Sequence, residues 1–201
     1  MFTGIIQATV KVRKAEQMGE CLRVSVERPS DWSLVHGQSI AIDGVCSTVV
    51  AFDEQSFDVE YMPETLAKTS VGNFQEGTEV NLERSLTLQD FIDGSLVQGH
   101  VDTTGKIEKI KDIGETKEMT LSFPIELKKY IAPKGSIVVN GVSLTVAGVD
   151  DSGFRIALIP YTLTHTNLGM LAEGDTVNIE VDMLARYAVN VLQQPSQISP
   201  H

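Results

Sequence analysis

The chain contains itself twice. Laid 97 positions apart, Gly37–Val49 (GQSIAIDGVCSTV) and Lys134–Val146 (KGSIVVNGVSLTV) share six of 13 residues. At the same offset, Pro63–Gly72 (PETLAKTSVG) and Pro160–Gly169 (PYTLTHTNLG) share five of ten. Glu76–Glu83 (EGTEVNLE) and Glu173–Glu180 (EGDTVNIE) share five of eight. Identity at 16 of 31 positions stands against roughly one in fifteen for unrelated segments of ordinary composition. A fainter echo sets Phe2–Ile5 against Val97–His100, 95 positions on. The chain of 201 residues therefore reads as two copies of a unit of about 90 residues, joined near Asp90–Ser95. The expected division is one unit over 1–95, a second over 96–182, a helix over 183–193 and a flexible tail over 194–201.

Each copy has the pattern of β-structure. Leu22, Val24 and Val26 alternate with Arg23, Ser25 and Glu27, and Phe57, Val59 and Tyr61 alternate with Asp58 and Glu60. Period-two alternation marks half-buried strands. Turn signals interrupt the runs at Asp43-Gly44, Gly77-Thr78, Gly114-Glu115 and Asp150–Gly153. About six short strands per copy at this spacing predict small closed barrels, so the fold class is all-β with two tandem units. One stretch departs from it. Met183–Gln193 puts Leu184, Tyr187, Ala188, Val191 and Leu192 on one helical face, with Asp182 as an N-cap. Such a stripe must pack on something, either its own barrels or a second subunit.

Composition narrows the function. With 42% apolar and 21% charged residues the chain can bury a core. Sixteen Lys and Arg against 27 Asp and Glu leave a net charge of −11, which argues against nucleic acid or an anionic membrane as a main partner. No apolar run approaches the ~18 residues of a membrane span, and the N-terminus lacks a basic stretch and cleavage site of a secretory signal. Cys21 and Cys46, without CxxC spacing, predict a reduced, cytoplasmic protein rather than a disulfide scaffold. His36, His100, His165 and His201 are scattered, so no metal site is expected. No phosphate-cradling glycine loop is present either.

A duplicated barrel offers two similar pockets, hence two similar ligands. Gly44–Thr48 and Gly141–Thr145 place glycine beside hydroxyls, suited to reading the edge of a flat heterocycle or simply to forming hairpin turns. The copies differ where chemistry could occur: Cys46 matches Ser143, and Ile5 matches His100. Equal pockets with unequal groups suit two identical molecules in different roles. By itself, Cys46 also fits a small buried hydrophobe.

MFTGII, GVCSTV, PETL-x-x-T, NLERSL, QGHVD, KGS-x-x-x-NGVSLTV and VNIEVD-x-LARY, in this order from Met1 to about Leu192, closely resemble the riboflavin synthase alpha-chain family. The resemblance implies two six-stranded antiparallel Greek-key barrels and a C-terminal helix that helps hold a homotrimer. It implies cofactor-free dismutation of two 6,7-dimethyl-8-ribityllumazine molecules into riboflavin and 5-amino-6-ribitylaminouracil, at sites between subunits, and an association with lumazine synthase. Carried over by position, Gly4, Ile5, Ile6, Cys46, Ser47, Thr48, Glu60, Tyr61, Met62, Pro63, Glu64 and Thr65 would line the N-terminal pocket. Gly99, His100, Val101, Lys134, Ser143, Leu144, Thr145, Ala157, Leu158, Ile159, Pro160, Tyr161 and Thr162 would line the C-terminal one. Thr48 and Thr145 would read the pyrimidine edge, and Thr65 and Thr162 would hold the ribityl chains. His100 is the candidate for proton transfer. Cys46 and Ser143 are candidate nucleophiles or hydrogen-bond partners. Ser39 also matches a polar position that matters, and Asp182 is open between a site role and a helix cap.

The family pattern is broken at three places. Asp93-Gly94-Ser95 stands where Gly-Gly-His is usual, Ser47 replaces a Leu, and Asn140 stands where Asp is common. The Leu-to-Ser change implies looser packing behind the N-terminal pocket. Relatives of this fold that bind lumazine or flavin without turnover, as fluorescent antennae, are the alternative. Cys46, Gln98-Gly99-His100 and Ser143 favour the enzyme.

Overall fold

In the computed structural model, which describes residues 1–151 and 153–193, the two copies form two closed six-stranded antiparallel barrels. The first comprises β1 (Ala8–Met18), β2 (Cys21–Glu27), β3 (Ser39–Ile42), β4 (Val45–Phe52), β5 (Ser56–Tyr61) and β6 (Glu79–Arg84). Its strands close in the order β1-β2-β5-β4-β3-β6. The second repeats that order with β7 (Thr103–Ile113), β8 (Thr116–Leu121), β9 (Ser136–Val139), β10 (Val142–Val149), β11 (Phe154–Leu158) and β12 (Thr176–Val181). The tail expected over 194–201 lies outside the described residues.

The alternation does what period two requires. Leu22, Val24, Val26, Phe57, Val59 and Tyr61 are all buried inside the first barrel. β1 pairs with β6 through Ala8–Lys11 and with β2 from Val12 onward, and its register shifts between Val12 and Lys14. β7 shifts likewise between Ile107 and Lys109. A bulge at the changeover lets one long strand bend and serve two neighbours, which closes a small barrel.

The sequence expectation confined helix to the C-terminus, and here the structure differs. Pro63–Lys68 (α1) and Pro160–His165 (α2) are one-and-a-half-turn helices, each followed by a 3-10 turn, and α3 spans Met183–Gln193. Pro at the first helical position fixes a helical φ where an N–H has no partner anyway, so PxTL starts a helix in both copies. These stretches are too short to show an apolar periodicity. No helix among the described residues is long and apolar enough to cross a membrane.

The barrels meet about an approximate twofold axis. Phe2 and Val97, equivalent in the fainter echo, pair with each other through hydrogen bonds of 2.7 and 3.0 Å. The hairpin turns Asp43-Gly44 and Asn140-Gly141, with positive φ throughout, pack tip to tip. A Cβ on Gly44 would lie 2.7 Å from the Gly141 nitrogen, and one on Gly141 2.8 Å from that of Gly44. Around the tips runs a buried, reciprocal network. Asn81 Nδ2 donates to the Asn140 carbonyl and Asn178 Nδ2 to the Asp43 carbonyl, both at 2.9 Å. Asn167 breaks the symmetry by donating from Nδ2 to Asp43 Oδ1 at 2.9 Å. Burial pushes the Asp43 carboxyl up to about 7, opposed by the donors from Asn81 and Asn167.

Candidate active site

The segment leading each repeat crosses to the other barrel. Cys46 N–H, at the start of β4, donates to the Gly99 carbonyl at 2.9 Å, and Ser143 N–H, at the start of β10, donates to the Gly4 carbonyl at 2.8 Å. Both glycines have positive φ and no room for a side chain. A Cβ on Gly99 would stand 2.7 Å from Cys46 Cβ, and one on Gly4 2.5 Å from Ser143 Cβ. Val101 then packs on the first core and Ile6 on the second. The expected pockets are thus corrected. The structure sets Gly99, His100 and Val101 beside Cys46 of the first barrel, and Gly4, Ile5 and Ile6 beside Ser143 of the second, the reverse of the division by position.

In the first half-site this brings Cys46, Met62, Glu64, Thr65, Gly99, His100 and Val101 around one open cavity of about 400 Å³, with Val45, Lys68 and Thr69. Cys46 and Thr48 are on the outward face of β4, and Ser39 lies directly across from Thr48 on β3. His100, exposed at the rim, and Cys46 are brought together from opposite halves of the chain. Pro63 begins α1 beside them, while Glu60 lies on β5 and faces Arg23 at 3.7 Å.

Two expected contacts point the wrong way. Ser47 is buried between Cys46 and Thr48, with its side chain on the inner face of β4; its hydroxyl donates to the Val45 carbonyl at 2.9 Å and pairs with the Tyr61 hydroxyl at 2.8 Å. Burial raises the Tyr61 pKa. Alternation puts both side chains in the barrel interior, so only their backbone can face a ligand. Behind the pocket the smaller Ser47 is met by the larger Tyr61, both buried and hydrogen-bonded to each other. The equivalent pair in the second barrel is Leu144, partly buried, and Leu158, fully buried in the core.

In the second half-site, Ser143 Oγ pairs with Ser95 Oγ at 2.8 Å, so Ser95 reaches the position matched to Cys46 in the repeat. Thr145 is exposed on β10 across from Ser136. Ala157, Ile159, Pro160 and Tyr161 lie exposed along β11 and the start of α2, with Thr162 half-buried. Lys134 holds a left-handed turn at φ 67°, its N–H donating to the Val146 carbonyl at 2.8 Å, as Gly37 does to Val49 at 2.9 Å in the first copy. Asp182 caps α3, accepting from Leu184 N–H at 2.8 Å, and it does not line the Cys46–His100 cavity. Tyr161 and His165 stack on each other at 4.0 Å.

Sequence reasoning missed Glu83 and Glu180. Both are buried on the last strand of their barrels and bind the backbone of the crossing segments. Burial raises both pKa values, against the pull of those N–H donors. Their identity across the repeat was the available signal.

A family model described as the lumazine binding domain matches residues 3–85 and again 98–182, so fold and paired half-sites define a lumazine-binding double barrel. The chain is 43% identical over 199 residues to the riboflavin synthase of Brucella abortus (strain 2308), covering 96% of this chain and 98% of that one. It is 36% identical over 198 residues to the riboflavin synthase of Bacillus subtilis (strain 168), covering 98% and 92%. The chain belongs to the riboflavin synthase family of enzymes. A crystal structure of LumP complexed with riboflavin shares the fold at a TM-score of 0.84 and 23% identity, over 90% of this chain and 99% of that one.

Proposed function

We propose that the chain is a riboflavin synthase, moving a four-carbon unit between two molecules of 6,7-dimethyl-8-ribityllumazine. One becomes riboflavin and the other 5-amino-6-ribitylaminouracil, so all atoms of the pair are accounted for without a cofactor. The observation that carries this reading is the pair of equivalent but chemically unequal half-sites: Cys46 with His100 in one, Ser143 with Ser95 in the other.

The chemistry needs little more. The C7 methyl of such a lumazine is acidic because the ring delocalises the carbanion, so His100 suffices to move the proton. The second ring becomes electrophilic when a nucleophile adds at its own C7, and Cys46 and Ser143 are placed to supply or to bond that group. Holding two heterocycles face to face then contributes several kcal/mol, up to roughly 7–11 at the limit. The half-sites lie on different barrels, and α3 leaves Leu184, Tyr187, Val191 and Leu192 58–83% exposed. Both features support a homotrimer in which the first barrel of one subunit faces the second barrel of another, and the two free cysteines fit a reducing cytoplasm. Association with a lumazine synthase fits a product and a substrate that share the pyrimidine.

The test is purified protein with 6,7-dimethyl-8-ribityllumazine as sole substrate, in metal-free buffer. One riboflavin for every two lumazines consumed is expected. Tight binding with no change of spectrum over hours would contradict catalysis and leave an antenna-type binder.

A further inference from the structure

Glu83 on β6 and Glu180 on β12 occupy the same place in the two repeats, and each is 2% exposed. Glu180 accepts from two consecutive backbone N–H groups, Gln98 to Oε1 at 2.8 Å and Gly99 to Oε2 at 2.9 Å. Glu83 does the same with Thr3 at 2.6 Å and Gly4 at 2.9 Å, and adds the Thr3 hydroxyl at 2.7 Å. A buried carboxylate without donors is costly, and so are loop N–H groups without acceptors; each satisfies the other. The surroundings of the two carboxylates are charged: Asp102 and Arg186 lie near Glu180, and the chain's N-terminal ammonium near Glu83.

Because the clamped segments cross between barrels, the clamps act crosswise. Gly99, held by Glu180 of the second barrel, rests on Cys46 of the first and sets where His100 begins. Gly4, held by Glu83 of the first barrel, rests on Ser143 of the second. We propose that Glu83 and Glu180 are positioning residues, each on the last strand of one barrel fixing the loop that completes the half-site of the other. For its effect on turnover this rests on the riboflavin synthase reading; the clamp itself does not.

Glutamine has the shape of glutamate but replaces one carboxylate oxygen with an NH2 group, so donors then confront one of the two loop N–H groups. In the full chain, Glu180→Gln and Glu83→Gln are compared by amide hydrogen exchange of the two crossing segments, by titration with 6,7-dimethyl-8-ribityllumazine and by steady-state turnover. Glu180→Gln is expected to speed exchange at Gln98–Gly99 by about tenfold or more, weaken one class of lumazine site and lower kcat. Thr3–Gly4 and the other class of site keep their native behaviour. Glu83→Gln is expected to give the mirror result. Exchange unchanged in both variants, or both segments loosening together in either one, would overturn the proposal. If the native chain makes no riboflavin, that reading fails while the exchange pattern still decides the clamp. If a variant does not fold, the native chain decides. The Gly99 amide proton and the Glu180 carboxyl carbon must titrate together, and separate midpoints overturn the assignment.

Discussion

Ser47 and Tyr61 exchange volume and polarity as a pair. One barrel holds a small and a large polar residue where its twin holds two leucines, Leu144 and Leu158. Ser47→Ala strands the buried Tyr61 hydroxyl and is expected to cost about 1–3 kcal/mol in denaturant unfolding. Ser47→Leu with Tyr61→Leu is expected to be less destabilising than the sum of the two single changes, since the twin barrel already uses that solution; strict additivity would contradict the pairing. At the site, His100→Ala is expected to slow turnover by roughly 10²-fold or more. Native turnover in that variant would remove His100 from proton transfer. Residue identities here were readable from the sequence, whereas partners were not. Matching by position put His100 beside Ser143, and only the twofold axis shows that it closes on Cys46.

The β3–β4 and β9–β10 hairpins do two jobs, turning a strand and forming the contact between barrels. Gly44→Ala would drive a Cβ to 2.7 Å from backbone in a left-handed turn. It is expected to cost more than ~2 kcal/mol, with Gly77→Ala, where a Cβ meets open space, costing less. The buried Asp43 in the same turn sets a pH dependence. Its unfolded value near 3.8 rises to about 7 on folding, so the unfolded chain gives up the proton first. Stability from this group is complete below about pH 4 and drains as pH climbs through about 7. Asp43→Asn keeps the acceptor oxygen without the charge, as Asn140 does for Asn178 N–H at 2.8 Å. The slope of melting temperature against pH is expected to flatten in that variant, with a remainder of the same sign from Glu83 and Glu180. An unaltered slope would show that Asp43 does not carry it. Strands and hairpins were legible because alternation and Asp-Gly or Asn-Gly turns are local signals. The helices α1 and α2 were not, being shorter than a helical period can reveal.

At the scale of the molecule, duplication makes two barrels whose leading segments are exchanged, so neither half-site is the work of one repeat. The internal identities disclosed the two copies, but exchange is a long-range property with no local signature. In the single chain the apolar face of α3, with Leu184, Tyr187, Val191 and Leu192, stays exposed. Leu184→Glu with Val191→Glu, on that face, is expected to give folded monomers by light scattering with turnover lost; an active monomer would contradict sites shared between subunits. The most direct measurement is a crystal structure of the protein with bound 6,7-dimethyl-8-ribityllumazine. One ring is expected against Cys46 and His100 and the other against Ser143 and Gly4, each closed by the loop from the opposite repeat. A ligand seated between the barrels at Asp43, or Gly4 found on Cys46 and Gly99 on Ser143, would contradict the crossed half-sites.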